Sequence, residues 1–399
     1  MKTKKYIVYV GFGCRGFPYG LAEIQKIILI SKSQVEIGNI VTVISTKGMY
    51  KMADHPDMKE SGNFEGIDYI YTSGTPFWSD NFFERNLLKL KGMVNEFLLL
   101  KKLKKQNRLD CVILSTHTFY LILYYVAMSK VLHFKTILNY VEFVSGIKKK
   151  WYKIRLWLND KLLDRFSPRL TDGIFVISEF LINHIRKIAP EKKFLKIPNL
   201  VDCERYKNIE TNRTNKYFLF CGATGYMEVI EFIIDSFDNL GQASVDLYLV
   251  INGPAADFAK ITNYINSTHN KVGIKIFSNL TQNQLYSFYK NAIGLLIPLR
   301  PVIQDIARFP HKVGEYLASG NPIISTNYGE IKYYFQDMIN MLIAGTYDKD
   351  LFTKKMQFVI DHPEESQKIG LKGKQMGLSN FDYRNNAAAI NDFIDSILV

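Results

Sequence analysis

The sequence predicts an α/β protein of two domains, each with a parallel sheet covered by helices on both faces. Three observations carry that expectation. Short β-branched runs alternate with longer segments of helical spacing, the pattern of strand–helix–strand units. A polar stretch from Cys203 to Asn215 breaks the alternation near mid-chain, and a second alternation begins behind it. The 399 residues exceed the roughly 250 to 300 that a single hydrophobic core usually serves.

In the first half the expected strands are Tyr6 to Val10, Ile40 to Ser45, Ile67 to Tyr71, Cys111 to Ser115, Thr136 to Val141 and Gly173 to Ile177. Helices fall between them. Ser178 reads as the N-cap of a helix through Lys187, and Phe194 to Ile197 as a further strand closed by Pro198 and Asn199. The Cys203–Asn215 stretch holds Asn208, Glu210, Thr211, Asn212, Arg213 and Thr214 without apolar periodicity, so it reads as a linker. Behind it come Tyr217 to Cys221, a helix near Glu228 to Asn239, then Asp246 to Ile251, Ile274 to Phe277, Ile293 to Ile297 and Pro322 to Ser325. The terminal segments Lys349 to Asp361, Pro363 to Met376 and Tyr383 to Leu398 have helical spacing, with Pro363 suited to a first turn. The expected domains are Rossmann-like units over 1–203 and 215–380, with a C-terminal helix in 381–399 packing back toward the first.

Hydrophobic residues at 47% and charged residues at 22% are the balance of a globular protein with substantial cores. Cys14, Cys111, Cys203 and Cys221 form no CxxC pair, so neither a disulfide framework nor a zinc site is implied and a reducing, cytoplasmic setting is expected. The N-terminus shows no signal-peptide pattern, and the longest apolar stretches, such as Phe119 to Met128, are too short to span a bilayer. The formal net charge is +13. Lys89, Lys91, Lys101, Lys102, Lys104 and Lys105 surround Phe97 to Leu100, and Lys148 to Lys150, Lys153 and Arg155 interleave with Trp151, Tyr152, Ile154, Leu156 and Trp157. Two readings fit these segments: basic amphipathic helices lying on an anionic membrane, or solvated faces over ordinary core stripes. No nucleic-acid signature accompanies the charge, so no such partner is expected.

Gly11, Gly13 and Gly16 satisfy GxGxxG behind a strand, the fingerprint of a dinucleotide site. The loop is too long for a tight turn, however, and the second strand ends in Ser45, Thr46 and Lys47 with no acid for a ribose diol. A glycine loop that lets backbone N–H groups approach a phosphate or sugar is the favoured reading. The strongest signal is the block Ile297 to Glu330. Pro310 opens a helix there and Gly320 closes it, so Arg308 arrives at a helix N-terminus that already favours anions. Lys312 and Glu315 share a face of that helix. A lysine there can reach phosphate while the carboxylate accepts from vicinal ribose hydroxyls; the alternative is a plain ion pair. Asp348 and Asp350 form a literal DxD metal motif, but they precede a helix and N-capping is expected of them.

This block resembles the donor-site signature of the family 4 retaining glycosyltransferases: Pro-Leu-Arg at Pro298 to Arg300, then Lys-x-x-Glu-Tyr-Leu-Ala at Lys312 to Ala318, then Gly-x-Pro-Ile-Ile-Ser-Thr at Gly320 to Thr326. DGIFVISEFL from Asp172, KIPNLVD from Lys196, FCGATGY from Phe220, SNLTQNQLYSFYKNAIGLLIP from Ser278 and FDY from Phe381 agree in order. The resemblance covers about residues 170 to 399 well and residues 1 to 45 loosely. It implies the GT-B architecture, two facing Rossmann-like domains with the nucleotide-sugar donor between them, and retention of anomeric configuration. Glu315 would hold ribose, Lys312 and Arg308 would neutralise the diphosphate, and Asn279 and Leu280 would offer backbone to the base. Gly222 would line the donor, and Gly13 would approach the phosphates.

Two departures stand out. The family's first glutamate falls on Ala307, leaving its sugar contact absent or supplied by Asp305, and an expected Arg and Lys are replaced around Ala223 to Gly225, Met227 and Glu228. Arg300, Arg308 and Lys312 would compensate. Fixed cations and a helix N-terminus can stabilise a departing nucleoside diphosphate without metal, so no cofactor is expected and the proposed catalytic residues are Arg308, Lys312 and Glu142. Glu142, at a strand end, would position donor or acceptor unless it is a buried structural acid. His117 also points to that rim, with a structural role the favoured one; His311 carries less weight as a base because a helix N-terminus disfavours its cation. The expected partners are a nucleotide-sugar donor, a glycan or lipid-linked acceptor in cell-surface polysaccharide synthesis, and an anionic membrane at its inner face. A nucleotide-sugar epimerase and a non-catalytic nucleotide-sugar or glycan binding homologue are the alternatives.

Overall fold

The protein is described here by a computed structural model, which covers residues 4–13, 16–20, 22–146, 153–211, 215–241 and 244–399. Cys14, Lys148 to Tyr152 of the second basic segment and Asn212 to Thr214 of the expected linker lie outside the described residues. The chain divides into two compact units: residues up to Leu200 together with Tyr383–Val399, and Val201–Asp382.

The first unit begins with β1 (Tyr6–Val10), α1 (Ala22–Glu36) and β2 (Ile40–Ser45), followed by β3 (Ser61–Phe64), β4 (Ile67–Tyr71) and α2 (Phe82–Lys105). Asn81 caps α2 by accepting from the backbone N–H groups of Phe83 and Glu84. Next come β5 (Cys111–Leu114), α3 (Phe119–Leu132), β6 (Lys135–Tyr140), α4 (Ile154–Leu170), β7 (Gly173–Val176), α5 (Glu179–Ile188) and β8 (Lys193–Lys196). Ser178 caps α5 through the N–H of Leu181. The sheet order is β3-β4-β2-β1-β5-β6-β7-β8. All its pairings are parallel except that of β3 with β4. Central strands such as Cys111–Leu114 are buried along their whole length, as expected of parallel strands covered on both faces.

In the second unit β9 (Tyr217–Ala223), α6 (Met227–Asp238), β10 (Asp246–Asn252), α7 (Ala255–Asn266), β11 (Ile274–Phe277) and α8 (Gln282–Asn291) precede β12 (Gly294–Ile297). Then follow α9 (Ile303–Ala307), α10 (His311–Ser319), β13 (Ile323–Thr326), α11 (Ile331–Tyr334), β14 (Leu342–Ala344), α12 (Lys349–Asp361) and α13 (Pro363–Phe381). The order β11-β10-β9-β12-β13-β14 reverses direction between β9 and β12, the position where ligands of doubly wound sheets bind beyond the strand C-termini. The last helix, α14 (Ala387–Leu398), belongs to the first unit. There Asn391 Oδ1 accepts from Lys5 Nζ at 2.7 Å and from Asn39 Nδ2 at 3.0 Å, and Ala387 O accepts from Gln34 Nε2 at 3.1 Å. A buried polar network of this kind costs stability if it loses one member, so it fixes where the helix docks.

The structure modifies several details of the sequence reading. The stretch after Cys203 is not uniformly linker-like: Cys203–Tyr206 form a short turn capped by Asp202, and buried Tyr206 packs its ring 4.6 Å from that of Tyr286. In α2 the apolar side is not centred on Phe97 to Leu100, because Leu100 is fully buried and packs inward. Asp348 caps α12 through the N–H of Leu351 at 2.9 Å, and Asp350 accepts from Asn239 Nδ2 at 3.4 Å. Among the described residues no helix is long and apolar enough to cross a membrane.

Candidate donor-binding site

The C-terminal ends of the second sheet gather most of the expected site residues. Gly222 is the penultimate residue of β9. Asn252 ends β10, and its Oδ1 accepts from the backbone N–H of Asn279 at 2.9 Å. Asn279 holds φ at 54°, a left-handed conformation that asparagine tolerates better than most residues. It is followed by Leu280 and by Thr281, which forms a capping box with Gln284 at the start of α8. The backbone groups of Asn279 and Leu280 are thus set by local hydrogen bonds beside β10 and β11.

Beyond β12, Leu299 N donates to Thr326 Oγ1 at 2.8 Å and fixes the loop that carries Arg300. Arg300 is committed to acids. Its Nε donates to Asp305 Oδ2 at 2.8 Å, its Nη2 to Asp305 Oδ1 at 3.1 Å and its Nη1 to Glu228 Oε2 at 3.0 Å. The hydrogen bonds with Asp305, acting against burial, hold its pKa above the ordinary arginine value. Asp305 is itself buried, accepts also from the backbone N–H of Arg300 at 3.0 Å, and lies 3.4 Å from Arg308 Nη2. This engagement answers the loss of the family glutamate in an unexpected way. Ala307 is buried at 1% exposure, and Asp305 is engaged by both Arg300 and Arg308.

Arg308 donates its Nη1 to Tyr226 Oη at 2.9 Å, with the guanidinium carbon 5.5 Å from that ring. Pro310 follows, then α10, which ends at Gly320 with φ at 83°. The positive φ is what a glycine at a helix C-terminus supplies. Pro310 at the N-cap of α10 makes no side-chain cap bond, and the dipole of the helix favours an anion at this end.

Lys312 Nζ donates to Glu315 Oε2 at 2.7 Å and sits 5.6 Å from the Tyr289 ring centre. The pair is not a surface pair: side-chain exposures are 27% for Lys312 and 14% for Glu315. Burial acts against the Lys312 ammonium, but the Glu315 carboxylate outweighs it and raises the lysine pKa. Burial likewise acts against the Glu315 carboxylate, and Lys312, then His311, overcome it and lower its pKa. His311 Nε2 is 3.6 Å from Glu315 Oε1. The cations Arg300, Arg308 and Lys312 are therefore matched by the acids Glu228, Asp305 and Glu315. Tyr226, Glu228 and Tyr289 are participants that sequence reasoning did not assign.

Residues 204–376 match the family model described as Glycosyl transferases group 1. The second unit is a group 1 glycosyltransferase domain. No curated protein matches the chain by sequence. Among solved structures, sucrose-phosphate synthase from Thermosynechococcus elongatus is similar with a TM-score of 0.74 at 11% identity, covering 99% of both chains. A glycosyltransferase from Rickettsia africae gives 0.72 at 14% identity, again over 99% of both chains. HepE from Anabaena, solved in complex with UDP-glucose, gives 0.67 at 11% identity over 98% of this chain and 99% of its own. The fold is accordingly that of GT-B glycosyltransferases, and in this group 1 domain α10 and the loop before it form the candidate donor site.

The remaining expected residues belong to the first unit. Gly13 follows β1, and a Cβ placed on it would meet no atom of the chain within 4 Å. Gly11 does require glycine-like freedom, with φ at 86°. Glu142 follows β6 half-buried. The segment behind it is anchored by Asp164, which accepts from Tyr140 Oη at 2.9 Å and from Ser145 N at 2.6 Å. His117 follows β5, and its carbonyl accepts from Asn159 Nδ2 at 2.9 Å. Glu142 and His117 thus share the C-terminal rim of the first sheet. Among the described residues no cluster of His, Cys, Asp or Glu is placed to hold a metal ion.

Proposed function

We propose that this group 1 glycosyltransferase moves a sugar from a nucleoside-diphosphate sugar to a glycan or lipid-linked saccharide acceptor, with retention of configuration, in cell-surface polysaccharide synthesis at the inner face of the membrane. The observation that carries the donor part is the convergence of Arg308 and Lys312 at the N-terminus of α10, with Glu315 one turn further in. The HepE structures with UDP and with UDP-glucose support a uridine nucleotide as the first donor to try.

As the leaving diphosphate gains negative charge, the α10 N–H groups, Lys312 and Arg308 stabilise it. Lys312 turns from Glu315 to phosphate, and the released carboxylate accepts from the ribose hydroxyls. The backbone of Asn279 and Leu280 takes the base edge, with Gly222 and Gly13 allowing close backbone approach. Arg300 acts through Asp305 by holding the Arg308 loop. The acceptor hydroxyl attacks the face the diphosphate leaves, which takes its proton, so no strong base is needed. Glu142 positions the donor sugar or the acceptor. Buried Ala307 and the engagement of Asp305 favour one other reading, a homologue that binds nucleotide sugars without turnover.

Product stereochemistry tests the proposal. With UDP-glucose and a panel of saccharide acceptors, proton NMR is expected to show the donor's α-anomer in the product, unchanged by EDTA. A β-linked product would contradict retention, and strict dependence on added divalent cation would contradict the metal-independent mechanism.

A further inference from the structure

The outward face of α2 carries an apolar stripe that no described residue of the first unit covers. The helix buries Gly92, Glu96 and Leu100 along one side. On the other side Phe83, Leu87, Leu90, Val94 and Leu98 are 82%, 68%, 62%, 59% and 53% exposed. Their spacing of four, three, four and four residues places them in one line along the helix. At a rise of about 1.5 Å per residue the line extends roughly 22 Å. It continues into exposed Lys101 and Lys105. Beside it, exposed Tyr120 of α3 accepts from Lys89 Nζ at 3.0 Å, so the apolar surface spreads onto the neighbouring helix. Globular proteins seldom leave so continuous an apolar surface without a partner.

We propose that this face is a docking surface for an anionic lipid bilayer, with α2 lying in the interface, its stripe in the acyl boundary and its lysines among the headgroups. Charge complementarity selects this occupant. The helix carries Arg85, Lys89, Lys91 and the cluster Lys101, Lys102, Lys104 and Lys105 against the acid Glu84, since Glu96 is buried. A second copy laid on the stripe would bring two such basic sets together, whereas anionic headgroups neutralise them while the acyl region receives the leucines. The surface belongs to the first unit and the candidate donor residues to the second; the inference gives the membrane part of the proposed function its surface and is tested separately from the donor chemistry.

Vesicle flotation of the full chain tests it, using phosphatidylcholine alone and phosphatidylcholine mixed with phosphatidylglycerol. The wild-type protein is expected to float with the mixed vesicles at least about tenfold more than with neutral ones, and less at high salt. The double variant Leu87→Glu/Leu90→Glu alters only exposed positions, so it should keep the wild-type melting temperature and nucleotide response while losing at least about tenfold in flotation. Val272→Glu, at an 87% exposed valine of the second unit, should float like wild type. Equal flotation of wild type and the double variant, or no flotation of wild type on mixed vesicles, would overturn the proposal. So would a wild-type dimer in sedimentation that the double variant dissolves, because the stripe's occupant would then be a second copy.

Discussion

Lys312→Ala is expected to lower kcat/KM for the nucleotide-sugar donor by about 100-fold or more, the scale seen when one preorganised donor to developing charge is removed. In the structure this ammonium donates to Glu315 at 2.7 Å, so an internal ion pair could account for its presence without catalysis. Two further variants separate the roles. Glu315→Gln keeps the side-chain shape, and it is expected to act chiefly on KM because its proposed contact is to ribose, far from the breaking bond. The swapped pair Lys312→Glu/Glu315→Lys restores opposite charges to the helix while reversing which end of the site is cationic. It should recover stability lost by the single variants but not turnover. Steady-state kinetics with thermal melts of the four proteins decide the matter; recovery of turnover in the swapped pair would reduce Lys312 and Glu315 to a structural ion pair.

A second expected result concerns Glu96. This residue of α2 is fully buried, and its Oε1 accepts from Tyr125 Oη at 3.1 Å. Burial pushes its pKa up to about 8 from an ordinary 4.5, against the opposing hydrogen bonds of Tyr125 and Tyr124. The sign follows from linkage. Between about pH 4.5 and 8 the unfolded chain releases this proton while the folded chain keeps it, so the favourable contribution present below pH 4.5 is lost as pH rises. The loss is on the order of 5 kcal/mol once pH exceeds 8. Glu96→Gln, which cannot ionise, should therefore melt on the order of 10 °C above wild type at pH 8.5, with the gap narrowing toward pH 5. A gap of equal size at both pH values would mean that Glu96 is ionised in the folded protein.

Much of this fold was legible because β-branched and aromatic residues mark the strands, as an unbroken apolar run in Tyr6–Val10 and by alternation in Ile67–Tyr71. The strands at Tyr6–Val10, Ile40–Ser45, Ile67–Tyr71 and Ile274–Phe277 coincide with the expected residues. What was not legible is short elements whose sequence carries no periodic signal. β3, with the sequence Ser-Gly-Asn-Phe, is largely exposed and pairs only with β4, so no alternation marks it. β14 has three residues, below the length at which a periodic signal emerges. The α2 stripe was misplaced because the run Phe97 to Leu100 looks apolar in sequence but winds around the helix, sending Leu100 inward and Leu98 outward.

The candidate site was legible in the residues it brings together but not in their pairings. Proline, glycine and charge spacing locate α10, Arg308, Lys312 and Glu315 from local rules alone. That Arg300 would be held by Glu228, 72 positions away, and that Asp305 would engage both Arg300 and Arg308, depends on tertiary placement. The acceptor is less legible still, since Glu142 and His117 sit at strand ends of the first sheet with no motif to name what they meet.

The measurement that addresses the central claim most directly is the thermal shift of the purified chain with UDP, GDP, ADP and CMP and their sugar conjugates, with and without EDTA. A ligand that binds only the folded state raises the melting temperature by mass action. The expected result is a shift with one nucleotide series that EDTA leaves unchanged and that Lys312→Ala abolishes. No shift with any nucleotide at millimolar concentration, or an equal shift in Lys312→Ala, would contradict a donor site at the N-terminus of α10.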